Sequence, residues 1–171
     1  TVATGKPNYP DGKVFDGYRA FGIQTEIYES NIEVIRVPMR PRGSNSGKDL
    51  LLNYASFIAS GLGLFPYLLR GRAYDVIFVY AGSPNGALPA IPLKWLKGAH
   101  LALWVLDLWP ESLAATGYIH NRMLLQVIGW IVRFTYWCAD TVLVQSRAFV
   151  GPVEKYAAPG KAVYFPNTFP L

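Results

Sequence analysis

Short apolar runs alternate with longer amphipathic segments along most of the chain. The runs VIFVY, LALWVL and TVLV carry no charged residue, which is typical of strands that are buried on both faces of a parallel sheet. Strands are predicted at 76–80, 101–106, 141–144 and 161–165, and helices at 88–96, 121–139 and 147–156. Strands that alternate with helices indicate βαβ units. The pattern predicts an α/β fold: a Rossmann-like, mostly parallel sheet with helices on both faces and these four strands adjacent in chain order.

The first third of the chain follows a different pattern. A strand ends at Thr4, and a long loop rich in Gly, Pro, Asn and Asp follows it; long loops in compact domains tend to be functional. Two strands are predicted at 21–30 and 32–39, joined near Ser30 and Asn31. Asp49 is a candidate cap for a helix over 50–65, which Pro66 would break or kink.

Asp107 is the first candidate for chemistry. It follows the buried run 101–106, and Pro110 stops the strand just beyond it. Ligands of open α/β sheets bind outside the carboxyl ends of the strands, where this carboxylate is expected to lie. The alternative is structural: Asp107 caps a turn, and Glu111 is simply solvated.

The charge of the chain narrows the choice of partner. The formal net charge is +5, and the 36–48 segment holds Arg36, Arg40, Arg42 and Lys48 without an acidic residue. Such a segment suits an anionic partner, such as a membrane surface or a phosphorylated ligand. A solvated basic loop that only aids solubility is the alternative. No nucleic-acid-binding motif is present, so nucleic acid is not an expected partner.

The metal-binding side chains are few and scattered. Cys138 is the only cysteine, and His100 and His120 stand apart from it and from each other, so no metal site is predicted. Cys138 lies inside the apolar helical segment 121–139, which is shorter than the about 20 residues that a membrane span needs. This segment is assigned to the core, with contact to a membrane surface as the alternative.

Several segments together resemble one family in order and spacing. They are ATGKPNYPDGKVFDGY, IEVIRVP, LLNYASF, VLDLWPESL, CADTVLVQS and FPNTF. The set resembles the N-terminal half of the family 4 glycosyltransferases, which have the GT-B fold, and within them bacterial enzymes that build lipopolysaccharide O-antigen and capsule. The resemblance implies an acceptor domain facing a nucleotide-sugar donor domain, retention at the anomeric carbon, no metal and no cofactor beyond the donor.

The resemblance also implies how the domain is divided. Residues 1–167 correspond to the Rossmann-like acceptor-binding domain, and residues 168–171 to the start of an interdomain linker. A first strand and helix are expected before Thr1, and the strand would fill a slot between the strand at Thr4 and that at 76–80. Direct pairing of Val2 and Ala3 with 76–80 would contradict this slot. The donor domain is expected after Asn167, so the chain alone is expected not to transfer sugar.

The resemblance assigns roles to residues in the loops. Asp107 is the expected catalytic residue, which orients the acceptor hydroxyl or stabilises oxocarbenium-like charge. Many relatives have His-Asp where this chain has Leu106-Asp107, so no histidine role is carried over. The expected substrate-binding residues are Asn8, Tyr9, Pro10, Ser83, Pro84, Trp109, Pro110, Glu111 and Ser146. For each loop residue the alternative is an ordinary turn.

The expected function is therefore sugar transfer at a membrane. The partners implied are a nucleotide sugar, a polyprenyl-linked glycan acceptor and an anionic membrane surface, and the location implied is the cytoplasmic, inner face of the cell membrane. One alternative is a Rossmann-like module that binds a nucleotide or sugar without chemistry, although no GxGxxG follows a strand. The other is a membrane-associated scaffold.

Overall fold

The computed structural model describes residues 1–43, 46–115, 117 and 121–167. The chain divides into two compact units, Thr1–Arg70 and Gly71–Leu171. The residues assigned to an interdomain linker, 168–171, lie outside the described part of the chain.

The first unit contains a three-stranded sheet in the order β1-β3-β2. Its strands are β1 (Val2–Thr4), β2 (Gln24–Tyr28) and β3 (Ile32–Arg36), and β3 runs parallel to β1 and antiparallel to β2. The predicted reversal near Ser30 is confirmed: Glu29 and Ser30 both adopt left-handed backbone, with φ of 47° and 67°. This conformation lets the chain turn back within three residues.

Helix α1 (Gly47–Leu68) begins earlier and ends later than predicted. The cap assigned to Asp49 is wrong, because the N-cap is Ser46, whose Oγ accepts a hydrogen bond from Asp49 N at 3.1 Å. Asp49 is the third residue of the helix, and its carboxylate accepts from the Ser46 hydroxyl at 2.8 Å. Pro66 lies inside α1 rather than at its end.

In the described part of the chain, α1 is the one helix long and apolar enough to cross a membrane by length and composition. Its polar side chains argue against that role. Asn53 is buried and donates to the Arg40 carbonyl, and the Ser56 hydroxyl accepts from Arg40 N at 2.8 Å. These bonds tie the helix to a loop of its own unit.

The second unit contains a four-stranded parallel sheet in the order β4-β5-β6-β7. The strands are β4 (Val76–Ala81), β5 (His100–Val105), β6 (Thr141–Val144) and β7 (Ala162–Tyr164). The predicted fold class, an α/β Rossmann-like parallel sheet with helices, is confirmed, as is the adjacency of the four strands. The strand expected before Thr1 stays a prediction.

The helices of the second unit follow the strands in the predicted order. They are α2 (Ala87–Lys97), α3 (Glu111–Ala115), α4 (Arg122–Cys138) and α5 (Val150–Glu154), with 3₁₀ turns at Pro84–Gly86 and Arg147–Phe149. The cap predicted for α4 is confirmed, since Asn121 Oδ1 accepts from Met123 N at 2.9 Å and from Leu124 N at 3.2 Å. The predicted helix 147–156 is instead a 3₁₀ turn followed by the short α5.

The core of the second unit lies on one face of its sheet. Leu101, Leu103, Val142 and Val144 are fully buried there and pack with residues of α2, α4 and α5. The opposite face carries Phe78 and Tyr80 of β4 and Trp104 of β5. The Trp104 ring contacts the other two rings, and Phe78 and Tyr80 are exposed. The prediction that 76–80 is buried on both faces is therefore wrong. As an edge strand, β4 buries only the alternate residues that face the helices.

Candidate functional site

Asp107 lies at the carboxyl edge of the parallel sheet, as the sequence predicts. Strand β5 ends at Val105, and the next residue still follows the ladder, because Leu106 N donates to the Ala81 carbonyl at 3.3 Å. Asp107 comes directly after this last bond and is exposed. Within the described residues its carboxylate has no hydrogen-bond or ion-pair partner, so it is open to a ligand.

A recess surrounds this position and brings four of the predicted site residues together. Ser83, Pro84, Asp107 and Trp109 line it, and Thr135 and Tyr136 of α4 close one side. Its floor is the apolar end of the sheet core, including Leu103 and Val105. The recess is shallow: the space it encloses is about 10 Å³, far below the roughly 300–1,000 Å³ of ligand pockets. It can receive only one group of a ligand, such as a hydroxyl, and not a whole sugar.

Pro110 and Glu111 anchor the loop beside the recess. The Trp109–Pro110 peptide bond is cis, and α3 begins at the next residue, Glu111. Glu111 Oε1 accepts a hydrogen bond from the Tyr156 hydroxyl at 3.0 Å. Glu111 therefore ties the loop to the segment that follows α5, which is a structural role at the position predicted to bind substrate.

The tyrosines beside this carboxylate keep their protons. Burial and the hydrogen bond to Glu111 raise the pKa of Tyr156 above its ordinary value. Burial, with the negative charge of Glu111, raises the pKa of Tyr136 as well. Both hydroxyls are therefore neutral hydrogen-bond donors near neutral pH, and Tyr136 faces the recess in that form.

Ser146 lies at the same edge of the sheet, after β6, but it does not line the recess. Its hydroxyl caps the second 3₁₀ turn by accepting from Ala148 N at 3.3 Å. The neighbouring Gln145 is the residue that sequence reasoning missed. Its Nε2 donates to the Leu106 carbonyl at 2.7 Å, and its Oε1 accepts from Asn167 at 2.8 Å. Gln145 thus fixes the chain next to Asp107, and no local signal in the sequence indicates this long-range bond.

Asn8, Tyr9 and Pro10 belong to the first unit. Asn8 is buried and joins two loops, because Nδ2 donates to the Lys6 carbonyl at 2.8 Å and Oδ1 accepts from Arg42 N at 3.2 Å. Tyr9 is 68% exposed, and the Arg42 guanidinium lies 5.3 Å from the centre of its ring. The Tyr9–Pro10 peptide bond is cis. Asn8 is therefore structural, while Tyr9 offers an exposed ring beside a cation.

The residues of the recess indicate what it can bind. An exposed carboxylate at the rim of this hollow can accept a hydrogen bond from a hydroxyl or face a developing positive charge. The Trp109 ring supplies a flat wall of the kind on which a sugar ring can pack. Among the described residues no three His, Cys, Asp or Glu side chains group in a way that could hold a metal ion.

Comparison with known proteins identifies the family. No curated protein matches the chain. The family defined as the glycosyl transferase 4-like domain matches residues 2–168, nearly the whole chain, and this agrees with the resemblance to the N-terminal domain of the family 4 glycosyltransferases. The parallel sheet and its open carboxyl edge are those expected for the N-terminal half of a GT-B fold. The chain belongs to the glycosyl transferase 4-like domain family.

Proposed function

We propose that this chain is the acceptor-binding domain of a retaining glycosyltransferase of polysaccharide biosynthesis. The enzyme moves a sugar from a nucleotide-sugar donor to a polyprenyl-linked glycan, within the branch that makes lipopolysaccharide O-antigen and capsule. The observation that carries the proposal is Asp107, an exposed carboxylate at the carboxyl edge of β5 in a recess walled by Trp109.

Asp107 acts on the reacting sugars in one of two ways. It accepts a hydrogen bond from the acceptor hydroxyl and so orients that oxygen, or it stabilises oxocarbenium-like charge on the donor sugar. Ser83 lies on the same rim, and Trp109 and Pro84 shape the wall. No metal and no cofactor takes part, and the nucleotide sugar is a substrate whose diphosphate the partner domain holds.

The setting of the reaction is the cytoplasmic face of the cell membrane. A polyprenyl-linked acceptor stays in the bilayer, so the enzyme works as a peripheral protein on an anionic surface. The net charge of +5 supports this location, because anionic lipids attract basic proteins. The chain by itself is expected not to transfer sugar, since the donor-binding groups belong to the other half of a GT-B enzyme.

The test is the substitution Asp107→Asn in the intact enzyme. Turnover is expected to fall by about 100-fold or more, the scale on which enzymes lose positioned catalytic groups. Because Asp107 is exposed, the thermal midpoint should stay within a few degrees of wild type. Asp75→Asn is the matched control, as Asp75 is an exposed aspartate just before the opposite, amino end of β4.

Two outcomes would count against the proposal. Equal losses of turnover and stability in Asp107→Asn would make Asp107 a structural residue. An intact protein that binds a nucleotide sugar but transfers none would support the binding module instead.

A further inference from the structure

The outer side of α4 carries a continuous stripe of exposed apolar side chains. This outer stripe consists of Met123, Val127, Trp130, Phe134 and Trp137, which are 74%, 48%, 77%, 44% and 68% exposed. Their spacings of four, three, four and three residues place them on one side of the helix. The opposite side, with Val132, Tyr136 and Cys138, is buried in the core.

Packing against the residues that the structure describes does not explain the outer stripe. It extends over 14 residue steps of helix, about 21 Å at 1.5 Å per residue, and the Phe134 and Trp137 rings lie 6.3 Å apart at one end. Two tryptophans more than two-thirds exposed are unusual on a monomeric soluble protein, where large contiguous apolar patches mark interaction sites. The stripe therefore has the character of an interaction site.

The charged side chains of α4 itself are positive. The helix contains Arg122 and Arg133 and no Asp or Glu, and both arginines are exposed. At its C-terminal end, Lys161 donates to the Trp137 carbonyl at 2.9 Å, while the charge of Lys94, which donates to the Cys138 carbonyl at 2.8 Å, is paired with Asp140 at 2.7 Å. A second copy of the chain would bring like charges together here, whereas an anionic surface is complementary.

We propose that the outer stripe of α4 docks on the surface of an anionic bilayer. The indole rings of Trp130 and Trp137 suit the boundary between head groups and acyl chains, because each combines a large apolar area with one polar N–H. The exposed Arg133, whose guanidinium lies 5.9 Å from the centre of the Tyr156 ring, adds a positive charge beside them for the phosphates. The helix lies in the plane of the interface, since its other side stays packed on the sheet.

This inference rests on the proposed function, because a lipid-linked acceptor requires an enzyme seated on the membrane, and it names the surface that seats it. The test measures flotation of the chain with vesicles of mixed phosphatidylcholine and phosphatidylglycerol. Trp130→Ser/Trp137→Ser should weaken partitioning by about tenfold or more, given the apolar area withdrawn from the interface. Phe21→Ser/Tyr28→Ser, which changes two exposed aromatic residues of the first unit, should bind like wild type.

A second variant distinguishes loss of membrane binding from misfolding of the serine variant. Trp130→Phe/Trp137→Phe keeps apolar rings at both positions, so it should still float with the vesicles. It should also lose most of the fluorescence quenching that brominated phospholipids cause in wild type. Raising the salt concentration should weaken binding of wild type, because Arg122 and Arg133 act through charge.

Four results would overturn the docking surface: no vesicle binding by wild type, undiminished binding by the serine variant, unchanged quenching in the phenylalanine variant, or a dimer in solution that the serine variant breaks. The last would assign the stripe to a second copy. The flotation assay needs neither an acceptor nor sugar transfer, so its result is separate from the test of the proposed function. If turnover on a soluble acceptor depends on Asp107 but the protein does not bind vesicles, the docking surface is wrong and the proposed function stands.

Discussion

Lysine residues from outside α4 hold its C-terminal end, and Lys161 contributes most. Its Nζ donates to the carbonyls of Trp137 at 2.9 Å and Ala139 at 2.8 Å, while a third contact, to the Tyr136 carbonyl at 3.4 Å, is too long to count as a full bond. Helix α4 has no basic residue in its own last turn. Lys161, just before β7, therefore satisfies carbonyls that the helix leaves open.

The substitution Lys161→Met keeps most of the side-chain stem and removes the ammonium group. Hydrogen bonds to a charged group contribute about 1.5–3 kcal/mol each, but Lys161 is only partly buried and water replaces some of that. We expect a net loss of about 2 kcal/mol in the free energy of unfolding. For a chain of this length that corresponds to a fall of roughly 4–8 °C in the thermal midpoint.

The assay is urea unfolding followed by circular dichroism, with the m-value checked for constancy. Lys155→Met is the matched control, because Lys155 is an exposed lysine six residues earlier; its effect should stay within about 0.5 kcal/mol. If Lys161→Met also stays within that limit, the carbonyls are satisfied by water and the lysine cap does not stabilise α4.

Three further predictions concern the same unit. Burial alone would raise the pKa of Asp140, but the hydrogen bonds from Lys94 and from Leu101 N together outweigh it and lower the pKa below its ordinary 3.8. The stability that the Asp140 carboxylate adds is therefore present above pH 3.8 and is lost as the pH falls through the lower folded-state pKa. In acid unfolding, Asp140→Asn should make the free energy of unfolding fall less steeply with pH. An unchanged dependence on pH would contradict this prediction. Asn121→Ala should cost about 1 kcal/mol in the free energy of unfolding by removing the cap of α4, and an unchanged urea midpoint would contradict the cap. Burial raises the pKa of the Cys138 thiol, so iodoacetamide should modify it slowly in the native protein and quickly after unfolding; equal rates would show an accessible thiol.

Local signals predicted much of the second unit. The run 101–106 is apolar because both faces of β5 are largely covered, and Asn121 precedes the first turn of α4 with a side chain suited to capping. The position of Asp107 followed from the same rule, since a polar residue after a buried parallel strand must lie at the carboxyl edge.

The sequence did not predict the contacts between residues that are far apart in the chain. Lys94 sits where it would suit the C-terminal end of its own helix, yet its amine binds the end of α4 and Asp140, 46 residues away. Gln145 and Glu111 likewise have partners far along the chain. A local pattern cannot tell which distant carbonyl or hydroxyl a polar side chain will meet.

Apolar patterns also fail where both sides of an element are apolar. Helix α4 was assigned to the core with the membrane surface as an alternative, and only the structure separates buried Val132 from exposed Trp130. In the edge strand β4, Phe78 was likewise predicted to be buried, and the structure shows that it is exposed. Periodicity reports that residues are apolar, and burial depends on which neighbouring elements cover them.

The most direct test of the central claim is a ¹⁵N–¹H NMR titration of the 171-residue chain with a lipid-free glycosyl diphosphate. We predict that the amide signals of Ser83, Asp107 and Trp109 shift most, and that Asp107→Asn reduces these shifts while leaving the rest of the spectrum in place. Shifts centred on Asp75 and His100, at the amino edge of the sheet, would contradict the account. So would shifts around Asp107 that the substitution leaves unchanged.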